Sequence, residues 1–392
     1  MQINQNIDKA IKYLFMLFAL SACISTAGTS IAIGLIILFM IIRYRQISFD
    51  IVPETGFLWA ISVFLGTMLI TVLLSHNTRL SLDVFQGHII RILIVFITFA
   101  LIRSRQQILL LMVILAISIN IDNIYAVWQY LKNPAGYRPV GFNNSATFYA
   151  THLLEVTIIS LITIVDCKNL LPKYRLFFSI TAMFSFIMLI LNQTRGAWLA
   201  LAAVLLVYGL INRRHWQKVI ILILIMSFAF GTALAFSPSL QERFVSIINV
   251  KHETNTERVL MWKSSLEIFK DYPLTGVGPG GFRHFYNQIY ISPLAREYGH
   301  GSPHNNFLLS LTETGIIGII GVLYLWGYLL YFFARDWFQY DRVWSLVALL
   351  VTIAILVQGL TDHNFENPSI MRLYWFIIGI AFASRKVWDY ES

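Results

Sequence analysis

Apolar runs close to the ~20 residues that a helix needs to cross a bilayer recur along this chain, separated by short polar breaks. That recurrence points to one class, an all-α polytopic membrane protein. Composition agrees: 57% of the residues are hydrophobic and 12% are charged, more apolar surface than one soluble core could use. Reading the runs against the breaks places about twelve transmembrane helices. They lie near residues 11–26, 28–43, 56–75, 87–103, 107–131, 146–165, 174–193, 196–211, 218–236, 304–333, 343–360 and 369–384. The chain divides accordingly into helices one to nine (1–236), a long loop (237–303), and helices ten to twelve with a tail (304–392). The start MQINQNIDKAIKY leads into an apolar run without a small-residue cleavage site, so the first run is expected to stay as a helix. Cys23 and Cys167 lie far apart in this plan and imply no disulfide framework.

Lys and Arg set the expected orientation. The loops 43–46, 103–107, 166–175, 212–218 and 334–342 and the tail 384–388 all fall on one side if the spans alternate. That side reads as cytoplasmic, with both termini on it. The formal charge of +9 is therefore a topology signal and does not point to nucleic acid. The long loop then faces outward, into the periplasm if the cell is Gram-negative.

Ionisable groups within the spans are Arg91, Asp122, His152, Glu155, Glu313 and Arg372, expected toward the outer half. Such groups cost several kcal/mol in a bilayer unless paired or hydrated, so a one-sided set marks a functional region. Every even-numbered helix starts on that side, presenting unpaired N–H groups and the positive end of its dipole. Arg91, Ser145, Arg195-Gly196, Ser302-Pro303-His304 and Asn367-Pro368 with Arg372 sit at those starts. Helix N-termini with arginines make anion sites, and phosphate is the anion that a bilayer interface most readily supplies.

The stretch SPHNNFLLSLTETGIIG (302–318) places Ser302 as an N-cap, Pro303 at the first helical position and His304 in the first turn. The positive helix end there keeps His304 neutral and able to accept a proton. Asn305 and Asn306 could orient it or bind hydroxyl groups. In the long loop, TNTERVLMWKSSLEIFKDYP (254–273) reads as an amphipathic helix, with a Thr254/Glu257 capping box and a stripe of Val259, Trp262, Leu266 and Phe269. Arg258 lies in its first turn. The run 276–281 satisfies G-x-G-x-x-G, but no strand precedes it, so it is a turn. Trp198, Trp262, Phe282, Tyr286, Tyr290 and Tyr298 read as an interfacial belt before sugar-stacking platforms.

The segments NQTRGAWLA (192–200), ERVLMWKSSLEIFKDYPLTGVGPGGF (257–282), SPHNNFLLSLTETGIIG and GLTDHNFENPSI (359–370) resemble the O-antigen ligase family of lipopolysaccharide assembly. Its superfamily includes O-antigen polymerases and protein O-oligosaccharyltransferases. The resemblance implies a metal-independent, cofactor-free, inverting glycosyltransferase of GT-C type in the inner membrane, with its active site facing the periplasm. Its donor would be O-antigen on undecaprenyl pyrophosphate and its acceptor a sugar hydroxyl of the lipid A core, with membrane lipids around it. By position, His304 matches the family's essential His, Arg195 the Arg of a short loop between spans, and Arg258 the Arg opening the periplasmic helix. Arg138 resembles a further Arg near the phosphates, and Arg91 is carried over as another.

The residues suit that chemistry. Attack of a sugar hydroxyl on an anomeric carbon needs a base and stabilisation of the departing pyrophosphate. His304 offers the first, and Arg195, Arg258 and helix N-termini the second. Asp362, His363, Glu366, Asn305 and Arg372 could orient acceptor sugars or an arginine. No D-x-D pair on the outer side suggests a metal-bound nucleotide donor. A polymerase of the same superfamily needs the same base and clamp. A flippase for the lipid-linked glycan is the competing class, but transporters tend toward midplane charge and internal repeats.

Overall fold

The computed structural model describes residues 2–44, 51–133, 136–249, 252–296, 298–340 and 342–391, which are helical with no strand among them. The basic loops 43–46 and 334–342 lie partly outside the described residues. Each of the twelve expected runs is a helix: α1 (Gln2–Ser21), α2 (Thr26–Tyr44), α3 (Thr55–Leu73), α4 (Thr78–Leu101), α5 (Arg105–Lys132), α6 (Ala146–Asp166), α7 (Pro172–Asn192), α8 (Arg195–Ile211) and α9 (Trp216–Phe236), then α13 (Asn306–Tyr340), α14 (Val343–Gln358) and α15 (Pro368–Glu391). Between α9 and α13 lie α10 (Pro238–Val245), α11 (Glu253–Asp271) and the short α12 (Phe282–Phe285), continued by a π-turn over Tyr286–Tyr290. Among the described residues eight helices are long and apolar enough to cross a membrane, and α8 and α14 are shorter apolar helices. The chain is a multi-pass membrane protein.

Burial separates centre from rim. In α6, 83% of the apolar window is buried, against 11% in α9. α6 packs on α5, α7, α8, α14 and α15, so it is the hub of the bundle. A smaller core of Met261, Ile268, Val277, Phe282, Phe285, Tyr286 and Leu309 holds the long loop together and anchors it to α13.

α13 is not the continuous span that the sequence suggests. Gly315 takes φ 59° and ψ −160°, a region open essentially to glycine alone, and breaks the helix there. The loop 273–278 fills the break. Pro273 and Leu274 carbonyls accept the Ile316 and Ile317 N–H groups at 2.9 and 3.1 Å, while Val277 and Gly278 donate to Thr312 and Glu313 carbonyls at 3.1 and 2.8 Å. Backbone groups freed at membrane depth must find partners in the protein, and this loop supplies four. A Cβ on Gly276 would lie 2.4 Å from the Glu313 carbonyl carbon, and one on Gly315 2.4 Å from that of Leu274. The glycines of GVGPGG thus make a turn, as expected, and one that mends a broken helix.

Several local expectations are corrected. α13 begins at Asn306, so Ser302 is not its cap and His304 stands outside the helix with φ 52°. Asn305 caps instead, its side-chain oxygen accepting Phe307 and Leu308 N–H at 2.9 and 3.0 Å. The capping box of α11 does not form: the Thr254 hydroxyl accepts from Arg195 and the Glu257 carboxylate from the Arg296 N–H. The buried face of α11 is Glu257, Met261, Ser264, Ser265 and Ile268, and Leu266 of the expected stripe is exposed. Small serines win that face because they allow close approach; Ser264 donates to the Tyr290 carbonyl at 2.6 Å. Arg91 sits well inside α4, because Asn77 caps that helix and starts it at Thr78. Phe282 and Tyr286 are fully buried and stacked on each other, which removes them from an interfacial belt.

Candidate functional site

Four arginines converge at the end of the bundle that carries the long loop. Arg138 stands on the segment between α5 and α6. Gln129 holds that segment by accepting Val140 and Gly141 N–H at 3.1 and 3.0 Å, and Asp122 accepts Phe142 N–H at 2.8 Å. Gly141 (φ 59°) is required there, since a Cβ would lie 2.2 Å from Asp122 Oδ1. Arg138 then donates to the Asn192 carbonyl and to Thr194 Oγ1, both at 3.0 Å.

Arg195 is the first residue of α8. It crosses to the long loop, donating to the Ser246 carbonyl at 2.8 Å and to Thr254 Oγ1 at 3.0 Å. Arg243, in α10, donates to the Gln193 carbonyl at 3.1 Å. Arg258, in α11, pairs with Asp362 at 3.4 Å. Each of these four charges acts electrostatically on Asp362 or on another of the set.

One buried carboxylate therefore faces four guanidinium groups. Asp362 is 3% exposed, and burial raises its pKa to about 6 against the pull of Arg258, Arg138 and Arg195. Gly196 makes its approach possible: a Cβ there would lie 2.7 Å from Asp362 Oδ2 and 2.4 Å from Thr361 Oγ1. The carboxylate thus sits against the start of α8, whose Thr194 accepts no N–H of the helix with its side chain. Burial, with repulsion from Arg243, lowers Arg138 to about 10, and burial with Arg258 lowers Arg243. Four cations outnumber the nearby carboxylates Asp362 and Glu242, so the cluster carries net positive charge.

His304 borders this pocket. Trp262 Nε1 donates to the Pro303 carbonyl at 2.9 Å, and Asn305 Nδ2 donates to the Leu360 carbonyl at 3.0 Å. The residues on either side of His304 are therefore tied to α11 and to the 359–367 loop. Asn306 is fully engaged with Asn364, whose N–H it accepts at 3.0 Å, and it donates its own N–H to Gly359. These asparagines act as ties between the two segments. Burial first, then Arg258, His300 and His363, depress His304 to about 4, so it is neutral at pH 7. The cause is desolvation and a nearby cation rather than the position in a first helical turn.

The remaining candidates form a second group. His363 Nε2 lies 3.5 Å from Glu366 Oε2, and Arg91 Nη1 donates to the Phe365 carbonyl at 3.1 Å. Glu366, Glu313, His88 and Asn306 edge a narrow cleft whose floor is Trp326, Trp375 and Met68. Glu313 accepts the Phe282 N–H at 3.0 Å, which accounts for an acid inside an apolar helix: it secures the glycine loop at the break. Arg372 turns to α2, bonding the Thr26 carbonyl and Thr29 Oγ1 at 2.8 and 2.7 Å. Arg91 and Arg372 thus stand with this group, not in the arginine pocket. Sequence reasoning missed Arg243, although Pro238 at the start of PSLQERFV marks a helix that puts this Arg in its last turn.

Comparison with known proteins bears on the same region. A family model described as O-antigen ligase matches residues 180–323. An uncharacterized protein of Haemophilus influenzae is 24% identical over 209 residues, covering 49% of this chain and 52% of that protein's length. The family match contains Arg195, Arg243, Arg258, His304 and the broken helix around Gly315. Over this stretch the chain is similar to the O-antigen ligase family, and the match supports that family for it.

Proposed function

We propose that the protein is an O-antigen ligase that moves the glycan en bloc from undecaprenyl pyrophosphate to a sugar hydroxyl of the lipid A core. The observation that carries this reading is the neutral imidazole of His304 beside a pocket of four arginines. In this mechanism the donor's pyrophosphate lies among Arg138, Arg195, Arg243 and Arg258. The acceptor hydroxyl loses its proton to His304 as its oxygen attacks the anomeric carbon from the face opposite the leaving group. The bond from that carbon to the pyrophosphate oxygen breaks, configuration inverts, and undecaprenyl pyrophosphate leaves with the bonding pair. The arginines stabilise the charge that grows on the leaving oxygen, the role a divalent cation has in other transferases.

The pocket also tunes its base. An imidazole at about 4 is a weak acceptor, and Arg258 is the strongest cation acting on it. A bound pyrophosphate offsets that cation and raises the basicity of His304 only when donor is present. The site stands at the end opposite most Lys- and Arg-rich loops, which by the positive-inside rule supports a periplasmic site; the reading adds twelve inner-membrane spans of GT-C type. Purified protein in nanodiscs, given undecaprenyl-pyrophosphate glycan and lipid A core, should shift the core on a gel, and His304→Ala should not. Glycan lengthening on its own carrier would make the protein a polymerase, and absence of both products would favour a carrier.

A further inference from the structure

The hub helix α6 holds more buried polar atoms than its packing satisfies. Glu155 is fully buried, and neither of its carboxyl oxygens has a hydrogen-bond partner. The hydroxyls of Thr157, Ser160 and Thr163 are in the same condition. In a membrane helix such hydroxyls usually bond a carbonyl one turn back, as Thr151 does to Thr147 at 2.9 Å. By the helical period, His152, Glu155, Thr163 and Asp166 share one side of α6, with Ser160 beside them. From His152 to Asp166 this line rises about 21 Å, most of the hydrocarbon thickness.

Both ends of the line run into hydrogen-bonded networks. At the long-loop end, His152 Nε2 is 3.2 Å from Ser369 Oγ, and its Nδ1 is 3.3 Å from Asn143 Nδ2, which reaches Asp122 Oδ2 at 3.3 Å. Asn143 lies on the partly exposed loop before α6. At the other end, Asp166 accepts from Tyr208 and from Asn212, and His215 Nδ1 lies 3.0 Å from its Oδ1. The His215 side chain is 19% exposed. Between the ends, Tyr374 of α15 and Thr352 of α14 meet at 3.0 Å.

We infer that α6 carries a hydrated file that passes protons across the membrane domain, with Glu155 as its central relay. A carboxyl group at membrane depth can take up a proton and pass it on. Were Glu155 only a helix-packing group, it would be bonded across helices, as His152 is to Ser369 and Asp166 to Tyr208. Each step of the relay breaks one O–H bond and forms another, with water bridging the gaps. The net result is one proton moved down its gradient, with no change in any other bond.

The test is proton flux in liposomes containing the full chain, a trapped pH dye and a potassium gradient clamped by valinomycin. Wild type is expected to exceed protein-free vesicles, with Glu155→Gln falling to their leak and Thr163→Val lying between. Infrared spectra should show a buried carboxylic acid band that moves in D2O and is missing in Glu155→Gln. Wild-type flux equal to that of protein-free vesicles overturns the proposal whether or not the variants fold. So does a folded Glu155→Gln protein that conducts like wild type, or a carboxylic band that does not exchange.

Discussion

Arg258 meets Asp362 at 3.4 Å across 104 residues of sequence, and this pair joins the helix of the long loop to the turn between the last two helices. Asp362 is the buried counter-charge of the arginine cluster, so its removal should strengthen anion binding. Asp362→Asn is expected to bind undecaprenyl pyrophosphate more tightly and, because burial already disfavours the carboxylate, to unfold at no lower temperature at pH 7. Calorimetric titration and a thermal melt in detergent measure the two effects, and weaker binding by the variant would contradict the assignment.

His304 and Asp362 should impose opposite pH slopes on stability. The folded His304 value, about 4, lies below its ordinary 6.5, so the unfolded chain binds more protons between these values and stability rises with pH there. The folded Asp362 value, about 6, lies above its ordinary 3.8, so the folded chain binds more protons in that window and stability falls as pH rises. The two contributions offset each other in wild type. Melts from pH 4 to 6.5 should slope downward with pH in His304→Ala and upward in Asp362→Asn, each relative to wild type.

Loss of the His304 base should reduce glycan transfer by about 10²- to 10⁴-fold while leaving donor binding in place. Arg258→Gln removes the main cation acting on this imidazole and should raise the His304 pKa. NMR titration of ring-labelled histidine reads that shift directly, and an unmoved titration would detach Arg258 from the base.

Arg243 contributes a charge that no other pocket member replaces. Arg243→Gln should weaken donor binding by roughly 10- to 100-fold, the worth of one hydrogen bond to a charged group. The affinity of the variant should also depend less on salt. Exposed Lys270, paired with Glu267, provides the comparison: Lys270→Gln should leave the constant unchanged.

Gly315→Ala places a side chain where φ is 59° and a Cβ would meet the Leu274 carbonyl. The backbone strain alone costs about 1–3 kcal/mol, and the clash adds to it. A thermal melt should show the loss, and Gly276→Ala, on the other side of the same junction, should behave alike.

The helices were legible in the sequence because hydropathy over a run of about twenty residues is a local property set by the bilayer. The arginines at 138, 195 and 258 and the histidine at 304 were legible through short motifs, and Lys and Arg in loops gave the expected orientation. What only the tertiary structure decided was how these groups meet. Asp362 faces four arginines because Gly196 lets the turn after α14 close on the start of α8. Arg91 and Arg372 are equally basic, yet their helices carry them to Phe365 and to α2. The break in α13 was hidden as well, since an apolar run with glycines reads as a continuous helix until a distant loop offers its backbone partners. Local chemistry selects a helix or a turn; a pocket depends on contacts between segments far apart in the chain, which no single stretch encodes.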